Sequence, residues 1–206
     1  MKNIIFDLGN VIIDIDVPRT YQALAALTTH LNAEETEKLI KSSDVWVRYE
    51  KGLLDDQGFR DALRALLQSD ASDEALDQAF NALLLDIDPA RIALLKKLRQ
   101  QYKIFILSNT SNIHILEVEK ILERCTGEKK LSDLFDYVFL SYEMGLVKPH
   151  TDIYEAVLAQ AGLVASETLF LDDLAANLVG AAQVGIEVKQ IIPQEFTILD
   201  VFAHEQ

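Results

Sequence analysis

The chain has 206 residues, the length of one domain or of one domain with an insertion. Half of its residues are hydrophobic and a quarter are charged, which excludes an intrinsically disordered chain. Its formal net charge of −14 argues against nucleic acid or an anionic membrane as a partner, because both bind basic surfaces.

Further features narrow the class of protein. No apolar run approaches the length of a membrane span, and a strand-like segment beginning at residue 2 leaves no room for a signal peptide. A single cysteine, Cys125, excludes a disulfide framework and a cysteine-based zinc site. We therefore expect a cytoplasmic protein, monomeric or homodimeric, with no membrane or nucleic-acid partner.

Short apolar runs predict the strands of a sheet. Four are nearly continuous and a fifth is weaker, and they cover residues 4–6, 104–107, 137–140, 169–171 and 186–191. Continuous apolar runs are typical of parallel strands covered on both faces. Helix-length amphipathic stretches separate the last four runs, at residues 111–124, 151–162 and 175–184. This alternation predicts an α/β fold with a doubly wound parallel sheet.

The stretch between the first two runs is too long for a single crossover connection. Leucines recur in it at helical spacing, as at Leu24, Leu27 and Leu31, so it is predicted to be almost wholly helical. Asp88 and Pro89 then predict the N-cap and first turn of a crossover helix over residues 89–101. The predicted organisation is a core formed by residues 1–16 and 87–206, with an α-helical insertion over residues 17–86.

Polar residues follow the predicted strands at the point where each strand ends. They are Asp7, Ser108, Asn109, Lys148, Asp172 and Asp173. In an open parallel sheet, ligands bind beyond the carboxyl ends of the strands. The sequence therefore predicts a polar site at this edge of the sheet.

These residue types together suit phosphoryl chemistry. The carboxylates of Asp7 and Asp173 are hard oxygen ligands of the kind that Mg²⁺ prefers. A cation, the Lys148 ammonium and the Ser108 hydroxyl would together bind a phosphoryl group and neutralise its charge during transfer. An aspartate so placed can attack phosphorus and form an aspartyl-phosphate, which water then hydrolyses.

Four motifs, in order along the chain, resemble those of the haloacid dehalogenase (HAD) superfamily of phosphohydrolases. They are Phe-Asp-Leu-Gly-Asn-Val at 6–11, Leu-Ser-Asn-Thr at 107–110, Gly-Leu-Val-Lys-Pro at 145–149, and Phe-Leu-Asp-Asp-Leu-Ala-Ala-Asn at 170–177. The first is similar to the opening of α-glucose-1-phosphate phosphatases. The last resembles the phosphatase domain of soluble epoxide hydrolases. The resemblance implies a Rossmann-like core, and the insertion resembles the superfamily's C1 helical cap.

The resemblance implies a role in metal binding for four residues. Asp7 would be the nucleophile and a Mg²⁺ ligand, and the backbone carbonyl of Gly9 would be a second ligand. Asp173 would be the direct carboxylate ligand from the fourth strand. Asp172 would bind metal-bound water or orient the site.

The resemblance also implies how the substrate would be held. Ser108 and Asn109 would bind the phosphoryl oxygens, and Lys148 would bridge the phosphoryl group and Asp7. The implied activity is Mg²⁺-dependent hydrolysis of a small phosphorylated metabolite, with a hexose phosphate such as glucose 1-phosphate as the expected substrate.

One departure from the superfamily's pattern leaves alternatives open. Gly9 stands where a second aspartate would protonate the leaving group and activate water. Such acid–base catalysis contributes roughly 10²–10⁴-fold. The alternatives are a haloacid dehalogenase, which also uses an aspartate nucleophile, and a catalytically weak binding or regulatory protein. In the insertion, a cluster of residues either packs as core or selects the leaving group: Trp46, Arg48, Tyr49, Glu50 and Lys51. The spacing of Trp46 and Tyr49 is typical of core packing, and Glu50 and Lys51 are the members favoured to face the substrate.

Overall fold

A parallel sheet forms the centre of the molecule. The structure, a computed structural model, describes residues 1–205. Its strands lie in the order β3-β2-β1-β4-β5, and every pairing is parallel. Their bounds are β1 Asn3–Phe6, β2 Lys103–Ser108, β3 Tyr137–Leu140, β4 Thr168–Asp172 and β5 Glu187–Gln190. The predicted α/β fold is thus confirmed, and each predicted strand is present.

Helices cover both faces of the central strands, which explains why the runs of β1 and β4 are buried along their whole length; the edge strand β5 is largely exposed. Alternate residues of β1 belong to different cores: Ile4 and Phe6 pack on one face, and Ile5 packs on the other. The core helices are α6 Pro89–Leu98, α7 Asn112–Thr126, α8 Leu131–Leu134, α9 Ser141–Met144, α10 Thr151–Ala161, α11 Ala175–Gln183 and α12 Ile198–Val201. The helix α6 is the predicted crossover. It begins with Asp88 as N-cap, whose carboxylate accepts from the N–H of Ala90 at 2.8 Å.

The insertion is helical, as its leucine spacing predicts. Its helices are α1 Val17–Ala25, α2 Ala33–Ser42, α3 Val45–Glu50, α4 Asp56–Leu67 and α5 Asp73–Asn81. Their buried side chains form a separate core, which includes Ile113 from the first turn of α7. Because this core is separate from those that cover the sheet, we propose that residues 17–86 form the predicted cap. We call residues 17–86 the insertion.

The insertion is joined to α7 by hydrogen bonds as well as by apolar packing. The hydroxyl of Tyr49 donates to Asp56 Oδ1 at 2.5 Å and accepts from the N–H of Ile113 at 3.2 Å. The other oxygen of Asp56 accepts from Asn112 Nδ2 at 2.8 Å. The insertion is therefore seated on the core at the N-terminus of α7.

No helix among residues 1–205 has both the length and the apolar character needed to cross a membrane.

Candidate active site

Strand register brings the polar strand ends to one edge of the sheet. Phe6, the last residue of β1, lies beside Ile106 in β2 and Leu171 in β4. Asp7 follows immediately, and its N–H donates to the carbonyl of Leu171 at 2.8 Å. The end of β1 thus lies between β2, which ends in Ser108, and β4, which ends in Asp172. This is the edge of an open parallel sheet at which ligands bind.

Lys148 lies at the centre of this edge, with its side chain 1 % exposed. Its Nζ lies 2.7 Å from Asp7 Oδ1 and 2.7 Å from Asp172 Oδ2. Burial alone lowers the pKa of Lys148, but the two aspartate charges together raise it above its usual value. The lysine is therefore a fixed cation between the first and fourth strands.

The loop that carries Lys148 is held by contacts to its backbone. The side-chain amide of Asn109 donates to the carbonyl of Lys148 and accepts from its N–H, both at 2.9 Å. On the other side, α11 packs so closely that a Cβ on Gly180 would lie 2.1 Å from the carbonyl oxygen of Pro149. The Asn109 side chain thus fixes the lysine loop, a contact that the sequence did not predict. The predicted role of Asn109 in phosphoryl binding stays a prediction. Because the side chain of Asn109 is engaged with the lysine loop, its backbone N–H would perform that role.

Asp172 is fully buried, and both its oxygens are occupied. Besides Lys148, it accepts from Asn177 Nδ2 at 2.9 and 3.0 Å and from the N–H of Leu174 at 2.8 Å. Tyr154 in turn donates to the carbonyl of Asn177 at 2.7 Å. Of the two roles predicted for Asp172, these contacts favour orienting the site.

Asp173 is only partly buried and lies beside the turn that follows β1. Its Oδ2 accepts from Asn10 Nδ2 at 2.9 Å. Asn10 has a φ of 57°, a left-handed conformation that asparagine tolerates better than most residues. The N–H of Ile15 donates to Asn10 Oδ1 at 3.3 Å, so this asparagine links the two acidic strand ends.

The three carboxylates fit a divalent cation with a preference for oxygen. Asp7, Asp172 and Asp173 each present an oxygen within 4.8 Å of the others. When all three are ionised, Lys148 neutralises only one of their charges. Burial is the main cause that raises the pKa of Asp7 to about 7; the charge of Lys148 opposes the shift and the charge of Asp172 adds to it. A bound dication would relieve both the excess charge and the repulsion.

Two predicted residues have positions that agree with their proposed roles but no contact that tests them. Ser108 is buried at the end of β2, and Gly9 lies in the turn after Asp7.

A hydroxyl group joins the chain after β2 to the chain after β3. Ser141 Oγ accepts from the N–H of Thr110 at 2.9 Å and donates to the carbonyl of Thr110 at 3.1 Å.

One end of the insertion is seated beside this edge of the sheet, because a Cβ on Gly52, two residues after the end of α3, would lie 2.1 Å from the carbonyl oxygen of Tyr142 in α9, the helix that directly follows β3. Glu50, the last residue of α3, is close enough to Lys148 for the ammonium charge to lower its pKa, although burial is the larger effect and leaves the pKa raised. Trp46 and Tyr49 pack in the insertion's core instead, Tyr49 being stacked on Phe59 with ring centroids 4.2 Å apart. The cluster noted in the sequence is therefore divided between core and cleft. Helical spacing favoured core packing for Trp46 and Tyr49, whereas the position of Glu50 depends on how α3 is seated, which leaves no local sequence signal.

Comparisons with known proteins agree with this geometry. The family model for haloacid dehalogenase-like hydrolases matches residues 1–185. The chain is 31% identical over 192 residues to a D-ribitol-5-phosphate phosphatase of Bacteroides thetaiotaomicron, covering 92% of this chain and 91% of that protein. It is 26% identical over 187 residues to a sesquiterpene phosphatase of Aspergillus oryzae, covering 90% and 87%.

A solved structure shares the whole architecture. It is a HAD family enzyme of Bacteroides thetaiotaomicron in complex with magnesium and inorganic phosphate. It is 34% identical to this chain with a TM-score of 0.86, over 95% of this chain and 96% of that one. The chain belongs to the haloacid dehalogenase-like hydrolase family.

Proposed function

We propose that this protein is a Mg²⁺-dependent phosphatase that hydrolyses a small phosphorylated metabolite through an aspartyl-phosphate at Asp7. The observation that carries the proposal is the buried ammonium of Lys148, held 2.7 Å from both Asp7 and Asp172 at the strand ends. A fixed cation beside a carboxylate nucleophile and a second acidic pair is suited to a phosphoryl group.

Asp7, the carbonyl of Gly9 and Asp173 would hold the metal. When bound, Mg²⁺ supplies positive charge that neutralises the phosphoryl oxygens and orients the group. The relative crystallised with magnesium and phosphate supports this assignment.

The chain's own residues perform the remaining work. Lys148 binds a phosphoryl oxygen and orients the Asp7 carboxylate through Oδ1, while Asp172 holds the lysine in place. Ser108 and the backbone N–H of Asn109 donate to the other phosphoryl oxygens. Asp7 then attacks phosphorus in line with the departing ester oxygen.

The substrate class rests on the relatives and on the site. We propose a phosphorylated sugar or sugar alcohol. A hexose phosphate such as glucose 1-phosphate was expected from the first motif, and the similar phosphatase that acts on D-ribitol 5-phosphate supports a pentitol phosphate equally. An anomeric phosphate has the better leaving group, which would suit a site with Gly9 in place of an acid.

A phosphatase panel tests this function. Inorganic phosphate release is measured from sugar phosphates, sugar-alcohol phosphates, nucleotides and phosphorylated acids, with Mg²⁺ and with EDTA. We expect Mg²⁺-dependent release from at least one sugar or sugar-alcohol phosphate. A haloacid is assayed in parallel for halide release. Halide release that is insensitive to EDTA would instead establish the dehalogenase alternative, and no turnover of any ester would favour a binding protein.

A further inference from the structure

Residue 9, in the turn after Asp7, is a glycine and carries no acidic side chain. A Cβ built on Gly9 would lie 3.1 Å from Ile15 Cδ1, so Ile15 packs closely against the position where a side chain would begin. An alkyl phosphate nevertheless releases an alkoxide, which leaves slowly without a proton. If the substrate is such an ester, the proton must come from another element.

In-line attack determines the side of the substrate on which a donor must lie. Asp7 approaches phosphorus from the core, so the ester oxygen departs on the opposite side, toward the insertion. Glu50 lies at the end of α3, two residues before Gly52, whose close approach to the carbonyl oxygen of Tyr142 seats that end on the helix that directly follows β3. The Lys148 ammonium lowers the pKa of the Glu50 carboxyl, as a neighbouring cation does. A carboxyl on this side can reach the departing oxygen without displacing the nucleophile.

One hydrogen bond to its side chain and the seating of the α3 end hold Glu50 in place. Its Oε1 accepts from the indole Nε1 of Trp46 at 2.9 Å, and that indole packs edge-on against Phe80 with centroids 4.9 Å apart. The chain leaves α3 through Gly52, where a Cβ would lie 2.1 Å from the carbonyl oxygen of Tyr142. The insertion's core therefore fixes one side of the carboxyl group, and the contact with Tyr142 fixes the end of α3 on the core domain.

We propose that Glu50 is the acid–base residue of this enzyme, in the role that Gly9 does not perform. As the bond from phosphorus to the ester oxygen breaks and the bond from Asp7 to phosphorus forms, the Glu50 carboxyl transfers its proton to the departing oxygen. The carboxylate that remains accepts a proton from the water that attacks phosphorus from the same side. That second attack breaks the bond to Asp7, releases phosphate and regenerates the Glu50 carboxyl.

Burial favours the protonated form that this role needs, because it raises the pKa of Glu50 above that of an ordinary glutamate. The Lys148 ammonium opposes the shift and so eases loss of the proton. A carboxyl balanced in this way can both donate and accept during one cycle.

This inference rests on the proposed phosphatase function, and leaving-group dependence tests it separately. Glu50→Gln keeps the acceptor for Trp46 but removes the proton. The values of kcat/KM, which report only the steps through ester cleavage, are compared for p-nitrophenyl phosphate and for the best alkyl phosphate of the panel, such as D-ribitol 5-phosphate. The nitrophenolate leaves without protonation, whereas the alkoxide does not.

We expect Glu50→Gln to lower kcat/KM for the alkyl phosphate by about 10²-fold or more while changing that for p-nitrophenyl phosphate by less than about tenfold. Glu34→Gln, which alters an exposed carboxylate of the same insertion paired with Lys38, serves as the matched control and should change neither.

Three results would overturn the assignment. They are an equal loss for both esters, an unchanged alkyl rate, and a rise in KM with kcat unaltered, which would make Glu50 a binding residue. Failure of the wild-type protein to hydrolyse either ester would count against the phosphatase function itself.

Discussion

Lys148 is the residue whose surroundings most constrain the chemistry of this protein. A buried ammonium between two carboxylates is stable only while its partners remain, since an uncompensated buried charge is costly. The sequence identified Lys148 and both aspartates from their positions at strand ends. It could not show that Asn109 fixes the lysine through its backbone, because a side chain bridging to a residue 39 positions away leaves no local pattern.

We predict that Lys148→Met abolishes turnover and destabilises the fold by about 3–5 kcal/mol, because it leaves Asp7 and Asp172 facing each other without a counterion. Urea denaturation measures the change in the free energy of unfolding. Lys38→Met, at an exposed ion pair with Glu34, is the control and should change it by less than about 1 kcal/mol. Equal effects of the two substitutions would show that the buried cation is not structural.

His114 supplies a second residue-scale prediction, on pH. Burial lowers its pKa to about 4, and the imidazole is stacked on Phe80 with centroids 3.9 Å apart. As the pH falls below 6.5, the imidazole of His114 binds a proton in the unfolded chain but stays neutral in the folded protein until about pH 4. The free energy of unfolding is therefore unaffected by this group above pH 6.5 and decreases as the pH falls from 6.5 to 4. The loss amounts to about 3 kcal/mol.

His114→Phe keeps the ring stacking and removes the titration. The free energy of unfolding of this variant, measured by urea denaturation across the acid range, should fall less steeply between pH 6.5 and 4 than that of the wild type. Parallel curves for the two proteins would contradict the buried neutral imidazole.

At the scale of elements, the seating of α3 determines whether the insertion can take part in the chemistry. The sequence predicted that the insertion is helical and which residues of α3 form a cluster. It favoured Glu50 and Lys51 as the members that face the substrate, but helical periodicity could not fix this, because it describes a helix and not the surface on which that helix packs. The one local sign of a close approach is Gly52, whose φ is 66°.

We predict that Gly52→Ala destabilises the protein more than Gly127→Ala does. Both glycines have positive φ, so both substitutions incur a left-handed strain of about 1–2 kcal/mol. Only at Gly52 does the added Cβ also meet backbone, the carbonyl of Tyr142, whereas nothing lies within 4 Å of it at Gly127. The difference should be at least about 1 kcal/mol.

Activity should follow the same order. Gly52→Ala should lower kcat/KM for an alkyl phosphate, because it displaces the end of α3 and with it Glu50, and Gly127→Ala should leave it unchanged. Equal stability and activity of the two variants would contradict the close seating of α3.

At the scale of the whole molecule, charge is the dominant feature. The net charge is −14, and three carboxyl groups share a single ammonium at the sheet edge. The strand runs and their polar ends predicted the sheet and the site, since both depend on local pattern. The metal fit depends on distances between separate strands, which required the structure.

Mg²⁺ should therefore stabilise the protein by more than ionic screening alone. At a concentration 100 times its Kd, a ligand adds about 2.7 kcal/mol, which corresponds to a rise in Tm of roughly 5–10 °C. Thermal unfolding is compared in MgCl₂ and in NaCl of the same ionic strength. The Mg²⁺-specific rise should disappear in Asp173→Asn, and its persistence there would place the cation elsewhere.

In the proposed reaction Asp7 accepts the phosphoryl group, and this step can be observed directly. Enzyme mixed with substrate and Mg²⁺ is quenched in acid during turnover, digested, and its peptides are mapped by mass spectrometry. We predict a phosphoryl group on Asp7 in the wild type and none in Asp7→Asn, whose turnover should fall roughly 10³-fold or more. A phosphoryl group on another residue, or undiminished turnover in Asp7→Asn, would contradict the account.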